Sequence, residues 1–242
     1  MKIINIEELP STNQFLQEYI QKNDFEESLC VKVLFQTKGR GQQGNGWESE
    51  YGKNLTFSIV LCPKFLLAAD QFILSQIVSL AIKQTLDQYI DNVTIKWPND
   101  IYWKNKKIAG ILIENSIMGQ NIEHSVIGIG LNVNQEHFVS DAPNPVSLFN
   151  ILGKSLEVDV LMSKILSNLL SLYKELSEVT GDRIRKLYTD SLYRLNGYFS
   201  FSDVSGRFDA KIEQVMNDGR LCLITDKDEQ RFYYFKEVAF EA

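Results

Sequence analysis

The sequence predicts an α+β fold, a mixed β-sheet with helices packed on one face, followed by a small C-terminal β-barrel. Three observations point there. Strand-like segments at 93–97, 101–103, 107–117 and 122–133 follow one another, the later ones joined by the polar turns 104–106 and 118–121, which implies antiparallel neighbours. Helical periodicity is confined to a few stretches, which disfavours a doubly wound βαβ arrangement. From Gly197 onward the texture changes to short strand-like runs punctuated by Ser205-Gly206 and Asp218-Gly219.

Ser11-Thr12-Asn13-Gln14 reads as a capping box ahead of Phe15, Leu16, Tyr19 and Ile20 at helical spacing, so a helix begins there. Residues 29–36 alternate, with Val31, Val33 and Phe35 on one side and Lys32 and Leu34 on the other, as a strand feeding the glycine-rich loop after it. A second strand is expected over 54–61. A long helix is expected over 68–90, burying Phe72, Ile73, Ile77, Leu80, Ala81 and Ile90. Two more helices are expected over 158–179 and 182–194. Strands at 198–202, 208–215, 221–224 and 232–235 form the C-terminal unit, about 45 to 50 residues, too small to hold much core and therefore expected to dock on the rest. The expected division is 1–195 and 196–242.

The bulk numbers exclude several classes. With 242 residues, 44% hydrophobic and 23% charged, the chain has ordinary globular composition. A formal net charge of -6 opposes binding to nucleic acid or anionic membranes, so any anion needs a local basic site. Cys30, Cys62 and Cys222 have no C-x-x-C spacing and suggest neither disulfides nor a thiolate metal site; a reducing cytoplasm fits. The first residues lack the features of a signal peptide, and the apolar runs are too short to span a bilayer.

Four glycines and one arginine lie between Gly39 and Gly46, giving a backbone that can turn its N–H groups toward an anion beside a guanidinium. It is equally a surface turn. No Gly-Lys-Ser/Thr follows, as in a Walker A loop, and the loop does not open a helix as a dinucleotide fingerprint does. Trp47 could stack on a base or simply pack. Lys96-Trp97-Pro98-Asn99-Asp100 places a lysine, an amide and a carboxylate at a strand end, where a plain hairpin turn is the other reading. Lys107 precedes an apolar strand in which Gly110 would let a ligand approach the backbone. Gly128 and Gly130 share one strand face ahead of Asn132 and Asn134, unless they mark a bulge. His124 and His137 lack the companions of zinc ligands, and no nucleophilic triad is apparent.

In order, Ser-Thr-Asn (11–13), Gly-Arg-Gly-Gln-x-Gly-x-x-Trp (39–47), Lys-Trp-Pro-Asn-Asp (96–100), Lys-x-Ala-Gly-Ile-Leu (107–112) and Gly-x-Gly-x-Asn (128–132) resemble the catalytic domain of biotin protein ligases. The resemblance spans residues 11–134 and implies a class II synthetase-like sheet, with an SH3-like C-terminal domain. It implies the activity of a biotin-[acetyl-CoA-carboxylase] ligase. Biotin and ATP, with substrate-bound Mg²⁺, would give biotinyl-5'-AMP, and a lysine of a biotin carboxyl carrier domain would then accept the biotinyl group. Carried over residue by residue, Ser11, Thr12, Asn13 and Gln36 line the biotin slot. Gly39, Arg40, Gly41 and Gln42 close over biotin and phosphate, and Gly110 allows close approach. Lys107 holds the biotin carboxylate and the charge developing at the α-phosphate, and Lys96 holds the phosphates. Trp47, Asn99 and Asn132, with Arg40, contact the nucleotide. Lys107, Arg40 and Lys96 are the expected catalytic residues, with no protein-held metal, and Asp100 is expected to orient Lys96 or a Mg²⁺-bound water.

Gln42 stands where some members of that family have a second arginine. The Ser11 helix begins almost at once, so a monofunctional enzyme without the family's DNA-binding winged helix is expected, as monomer or homodimer. A lipoate or octanoate transferase of the same architecture and a non-catalytic biotin sensor are the alternatives.

Overall fold

The computed structural model describes residues 1–25, 27–139 and 144–241. Its main sheet contains β1 (Ile3–Leu9), β2 (Cys30–Gln36), β3 (Leu55–Leu61), β4 (Val93–Lys96), β5 (Asp100–Trp103), β6 (Lys106–Met118) and β7 (Asn121–Leu131), ordered β1-β2-β3-β7-β6-β5-β4. β1 is parallel to β2 and every other neighbouring pair is antiparallel, so the sheet is mixed, as expected. β1 was not anticipated. It is an edge strand whose apolar contacts, Ile4, Ile6 and Leu9, are only half-buried, so its pattern is weaker than that of β2 and β3.

The helices are α1 (Thr12–Lys22), α2 (Phe72–Leu86), α3 (Leu148–Leu152), α4 (Val158–Glu178) and α5 (Asp182–Asp190). α2 is shorter than the expected 68–90. Ala68–Asp70 form a separate 3-10 turn, because the Ala68 N–H is drawn to the Gln120 carbonyl at the β6–β7 hairpin, 2.9 Å away. α5 stops before residue 194 because the Ser191 carbonyl and the Tyr193 N–H both pair with Ile95, each at 2.8 Å, along the outer edge of β4. Ser11 is the N-cap of α1, but it makes no side-chain cap bond, and Gln14 Nε2 donates instead to Glu18 Oε1 at 2.9 Å. A true capping box stands at Ser147 and Asn150, where it starts the short α3.

α2, α4 and α5 cover one face over a large apolar cluster that includes Phe57, Ile59, Ile77, Leu169 and Tyr188. α1 packs on the opposite face. Val31, Val60 and Val126 point that way and bury Leu16, so the central strands carry two apolar faces and need two covers.

β8 (Phe199–Asp203), β9 (Gly206–Val215), β10 (Leu221–Thr225), β11 (Gln230–Tyr233) and β12 (Ala239–Phe240) form a second, antiparallel sheet, ordered β11-β10-β9-β8-β12. This second sheet agrees with the expected small C-terminal β unit, and among the described residues its end strands β11 and β12 do not pair with each other. Phe201, Leu221 and Leu223 belong to the same apolar cluster as α2 and α4. Trp97 Nε1 donates to the Gly219 carbonyl at 2.8 Å, and Gly219 lies so close to Phe72 that a Cβ there would sit 2.8 Å from its ring.

Candidate active site

The register of β3, β7 and β6 builds a floor on the α1 face. Cross-strand partners point to the same side, and the pairings run Thr56, Gly130, Gly110 in one row, Ser58, Gly128, Leu112 in the next and Val60, Val126, Glu114 in the third. Glycines at the middle of two rows leave a hollow. A cleft of about 1130 Å³ lies over it.

Two side chains occupy that hollow. Trp47 lies on the first row, where a Cβ on Gly130 would come 2.3 Å from Cε2 of its indole and one on Gly110 3.1 Å from Cζ3. Asn13 lies on the second, its Oδ1 2.4 Å from where a Gly128 Cβ would be. The glycines of β7 therefore serve close approach and mark no bulge.

The end of the cleft at α1 is a buried amide and hydroxyl network. Gln36 Oε1 accepts from the Thr12 N–H at 2.7 Å and lies 3.1 Å from Thr12 Oγ1. The Ser58 hydroxyl lies 2.7 Å from Thr12 Oγ1 and 2.6 Å from Asn13 Oδ1. Asn13 Nδ2 donates to the Leu112 carbonyl at 3.2 Å and to Glu114 Oε2 at 2.7 Å.

The glycine-rich loop forms a small hairpin. The Trp47 N–H donates to the Gly39 carbonyl at 3.0 Å, the Gly41 N–H to the Asn45 carbonyl at 2.6 Å, and Gln42–Gly44 make a 3-10 turn. The trailing end of the loop is tied down by buried Gln135, which donates to Glu48 Oε1 at 3.0 Å and accepts from the Glu50 N–H at 3.1 Å. Arg40 Nη2 reaches Glu114 Oε2 at 3.6 Å.

Five cations, Lys38, Arg40, Lys96, Lys107 and Lys236, line the cleft with the carboxylates Glu48 and Asp100, in a chain whose net charge is -6, and Lys96 and Lys107 make the end away from α1 cationic. Lys107 Nζ is 2.7 Å from Asp100 Oδ1 and lies over the Trp47 ring at 5.8 Å. Lys96 Nζ is 3.2 Å from Tyr102 Oη and lies over the Tyr102 and Phe240 rings at 4.8 and 5.2 Å. Burial holds the Lys96 ammonium below its ordinary pKa; the Asp100 charge opposes this, and Arg194 and Lys107 add to it.

Ser11, Thr12, Asn13, Gln36, Gly39, Arg40, Gly41, Gln42, Trp47, Lys96, Asn99, Lys107 and Gly110 all line this one cleft. Asn132 does not. It is buried at the end of β7, where Nδ2 donates to the Val146 carbonyl at 3.1 Å and its own carbonyl accepts from the Leu148 N–H at 3.1 Å. Asn99 spends one amide N–H on the Ile111 carbonyl at 2.6 Å, pinning the turn after β4 to β6. Asp100 turns to Lys107 rather than to Lys96.

Sequence reasoning missed Ser58, Glu114 and the C-terminal wall of Phe235, Val238, Ala239 and Phe240. Thr56 and Ser58 were detectable as polar residues alternating inside the apolar run Leu55–Leu61. For the C-terminal wall there was no local signal.

An uncharged polar slot set beside a cation cluster, on a mixed sheet and under a glycine-rich loop, defines a class of enzyme that brings a small acid against a nucleotide polyanion. The chain belongs to the Biotin/lipoate A/B protein ligase family, whose model matches residues 6–132. Over 231 residues it is 27% identical to the bifunctional ligase/repressor BirA of Bacillus subtilis, covering 93% of this chain and 70% of that protein. It is 28% identical to human biotin–protein ligase over 196 residues, 77% of this chain and 27% of that longer protein. The fold is shared with the biotin protein ligase of Aquifex aeolicus solved with biotin and ATP: TM-score 0.83, 24% identity, 99% of this chain and 98% of that one.

Proposed function

We propose that this chain is a biotin protein ligase that uses ATP. A biotin carboxylate oxygen attacks the α-phosphorus of ATP, the bond to the bridging β-phosphate oxygen breaks, and biotinyl-5'-AMP and pyrophosphate result. A lysine amine of a biotin carboxyl carrier domain then attacks the biotinyl carbonyl carbon and AMP leaves. The observation that carries this reading is the division of one cleft into a neutral hydrogen-bonding slot at Thr12, Asn13 and Gln36 and a cationic end at Lys96 and Lys107. An uncharged ring fits the first and phosphates the second.

In this reading Lys107 meets the biotin carboxylate and the α-phosphate, exchanging part of its contact with Asp100, and Lys96 holds the phosphates. Such fixed cations favour the charge developing as the phosphorus is attacked, so no protein nucleophile is required. Arg40, Gly41 and Gln42 close the slot, and the Trp47 ring faces the nucleotide base. Among the described residues no group of three or more His, Cys, Asp or Glu side chains is placed to hold a metal. In this reading Mg²⁺ enters with the ATP substrate, where it would offset phosphate charge, and Asp100 and Glu48 are the carboxylates that line the cleft.

The reading extends to an acetyl-CoA carboxylase carrier domain as acceptor, to catalysis by a unit at 1–195 whose cleft is completed by 196–242, and to a cytoplasmic setting without a nucleic-acid partner. The net charge of -6 supports the last point, and no described helix is long and apolar enough to cross a membrane. The test is pyrophosphate exchange into ATP. Exchange dependent on biotin and not on lipoate is expected, with Lys107→Ala lowering it by roughly a hundredfold or more while the fold is kept. Lipoate-dependent exchange, or near-normal exchange in Lys107→Ala, would count against the assignment.

A further inference from the structure

Glu114 stands in the third cross-strand row, outside the residues that line the cleft, yet one of its carboxylate oxygens faces both α1 and the glycine-rich loop. Oε2 accepts from Asn13 Nδ2 at 2.7 Å and lies 3.6 Å from Arg40 Nη2. The Asn13 contact has a definite polarity. Its two amide N–H groups meet the Leu112 carbonyl and the Glu114 carboxylate, neither of which can donate, so the amide cannot be reversed without facing acceptor with acceptor. Oδ1 is thereby turned to Ser58 above Gly128, and its remaining lone pair is what Asn13 can offer a ligand N–H. The Arg40 contact is of another kind. The side chain is 45% exposed, and an ion pair at that distance and exposure is held weakly and is readily exchanged for a polyanion.

We propose that Glu114 is a positioning residue with two tasks: it fixes the Asn13 carboxamide with its oxygen toward the ring slot, and it parks the Arg40 guanidinium beside that slot until a phosphate draws it away. The inference rests on the biotin-ligase reading of the slot. It adds a shared anchor between ring recognition and loop closure, so a single side chain sees both events.

The test uses the full chain and two readouts. Biotin titration by calorimetry without ATP reports the Asn13 task, and the rate of tryptic cleavage at the Arg40–Gly41 bond without any ligand reports the Arg40 task. Glu114→Ala is expected to weaken biotin binding by roughly tenfold or more, the loss of a hydrogen bond to a charged group. Glu114→Gln, whose amide oxygen can still accept from Asn13, restores most of that affinity, yet is cleaved several-fold faster than wild type because the charge that parks Arg40 is gone. Glu114→Leu repeats the first measurement should the alanine variant not fold. Biotin affinity unchanged in Glu114→Ala, or as poor in Glu114→Gln as in Glu114→Ala, or cleavage unchanged in Glu114→Gln, each overturns the proposal. A wild-type chain that binds no biotin in the same titration removes the ligase reading instead, and the ligand-free cleavage arm still decides the Arg40 task.

Discussion

Lys96 and Lys107 show how two lysines of one cleft are given different chemistry. Lys107 keeps a carboxylate partner in Asp100, 2.7 Å away, while Lys96 is wrapped by Tyr102 and Phe240 and loses part of its hydration. Burial lowers the Lys96 pKa from its ordinary 10.5, so its charge is lost at a lower pH than that of an exposed lysine. Phosphate binding that depends on this charge weakens in the same window. The KM for ATP is therefore expected to rise on the alkaline side, below the ordinary lysine range, and Lys96→Arg, charged throughout, should flatten that rise. A KM profile identical in wild type and Lys96→Arg would remove Lys96 from phosphate binding. Much at this scale was legible in sequence: glycine and lysine at spaced positions announced the loop, Lys96 and Lys107. The partners were not. That Asp100 meets Lys107, that Ser58 and Glu114 meet Asn13, and that Asn132 turns to Val146 follow from strand register and chain path, which no single segment encodes.

At the scale of elements, the long amphipathic and apolar patterns predicted type well and ends poorly. α2 begins at Phe72 because a hairpin carbonyl captures Ala68, and α5 ends at Asp190 because Ile95 of β4 pairs with Ser191 and Tyr193; both limits come from distant strands. The floor strand β7 has a sharper consequence. Gly130 has no room for a Cβ, since Trp47 Cε2 would lie 2.3 Å from it, and the contact is with a rigid ring rather than a flexible tip. Gly130→Ala is expected to lift the indole off the floor, shifting tryptophan emission to the red and raising the KM for ATP by roughly tenfold, about 1.4 kcal/mol, with little change in biotin affinity. Unaltered emission and unaltered kinetics would show that the floor tolerates a methyl group.

For the whole molecule, the C-terminal sheet is part of the site and not only an appendage. Trp97 holds Gly219, Arg194 Nη1 donates to the Glu241 carbonyl at 2.5 Å, and Phe240 packs on Phe201, Tyr193 and Lys96. The sequence predicted a small docked unit from its size alone; what it forms on docking, one wall of the cleft, depends on contacts between residues far apart in the chain, Arg194 with Glu241 at a separation of 47 and Trp97 with Gly219 at 122. Phe240→Ala is expected to raise the KM for ATP several-fold while leaving the KM for biotin near wild type, because the ring touches Lys96 and not the amide network. An equal rise in both would mean that Phe240 serves general stability. The reading of the molecule as a biotin-activating ligase is tested most directly by mass spectrometry of the purified chain mixed with ATP, Mg²⁺ and biotin. The expected result is biotinyl-5'-AMP and pyrophosphate in equal amounts, the adenylate retained by the protein until a carrier domain is added. Unconsumed ATP and biotin, with no adenylate, would contradict it.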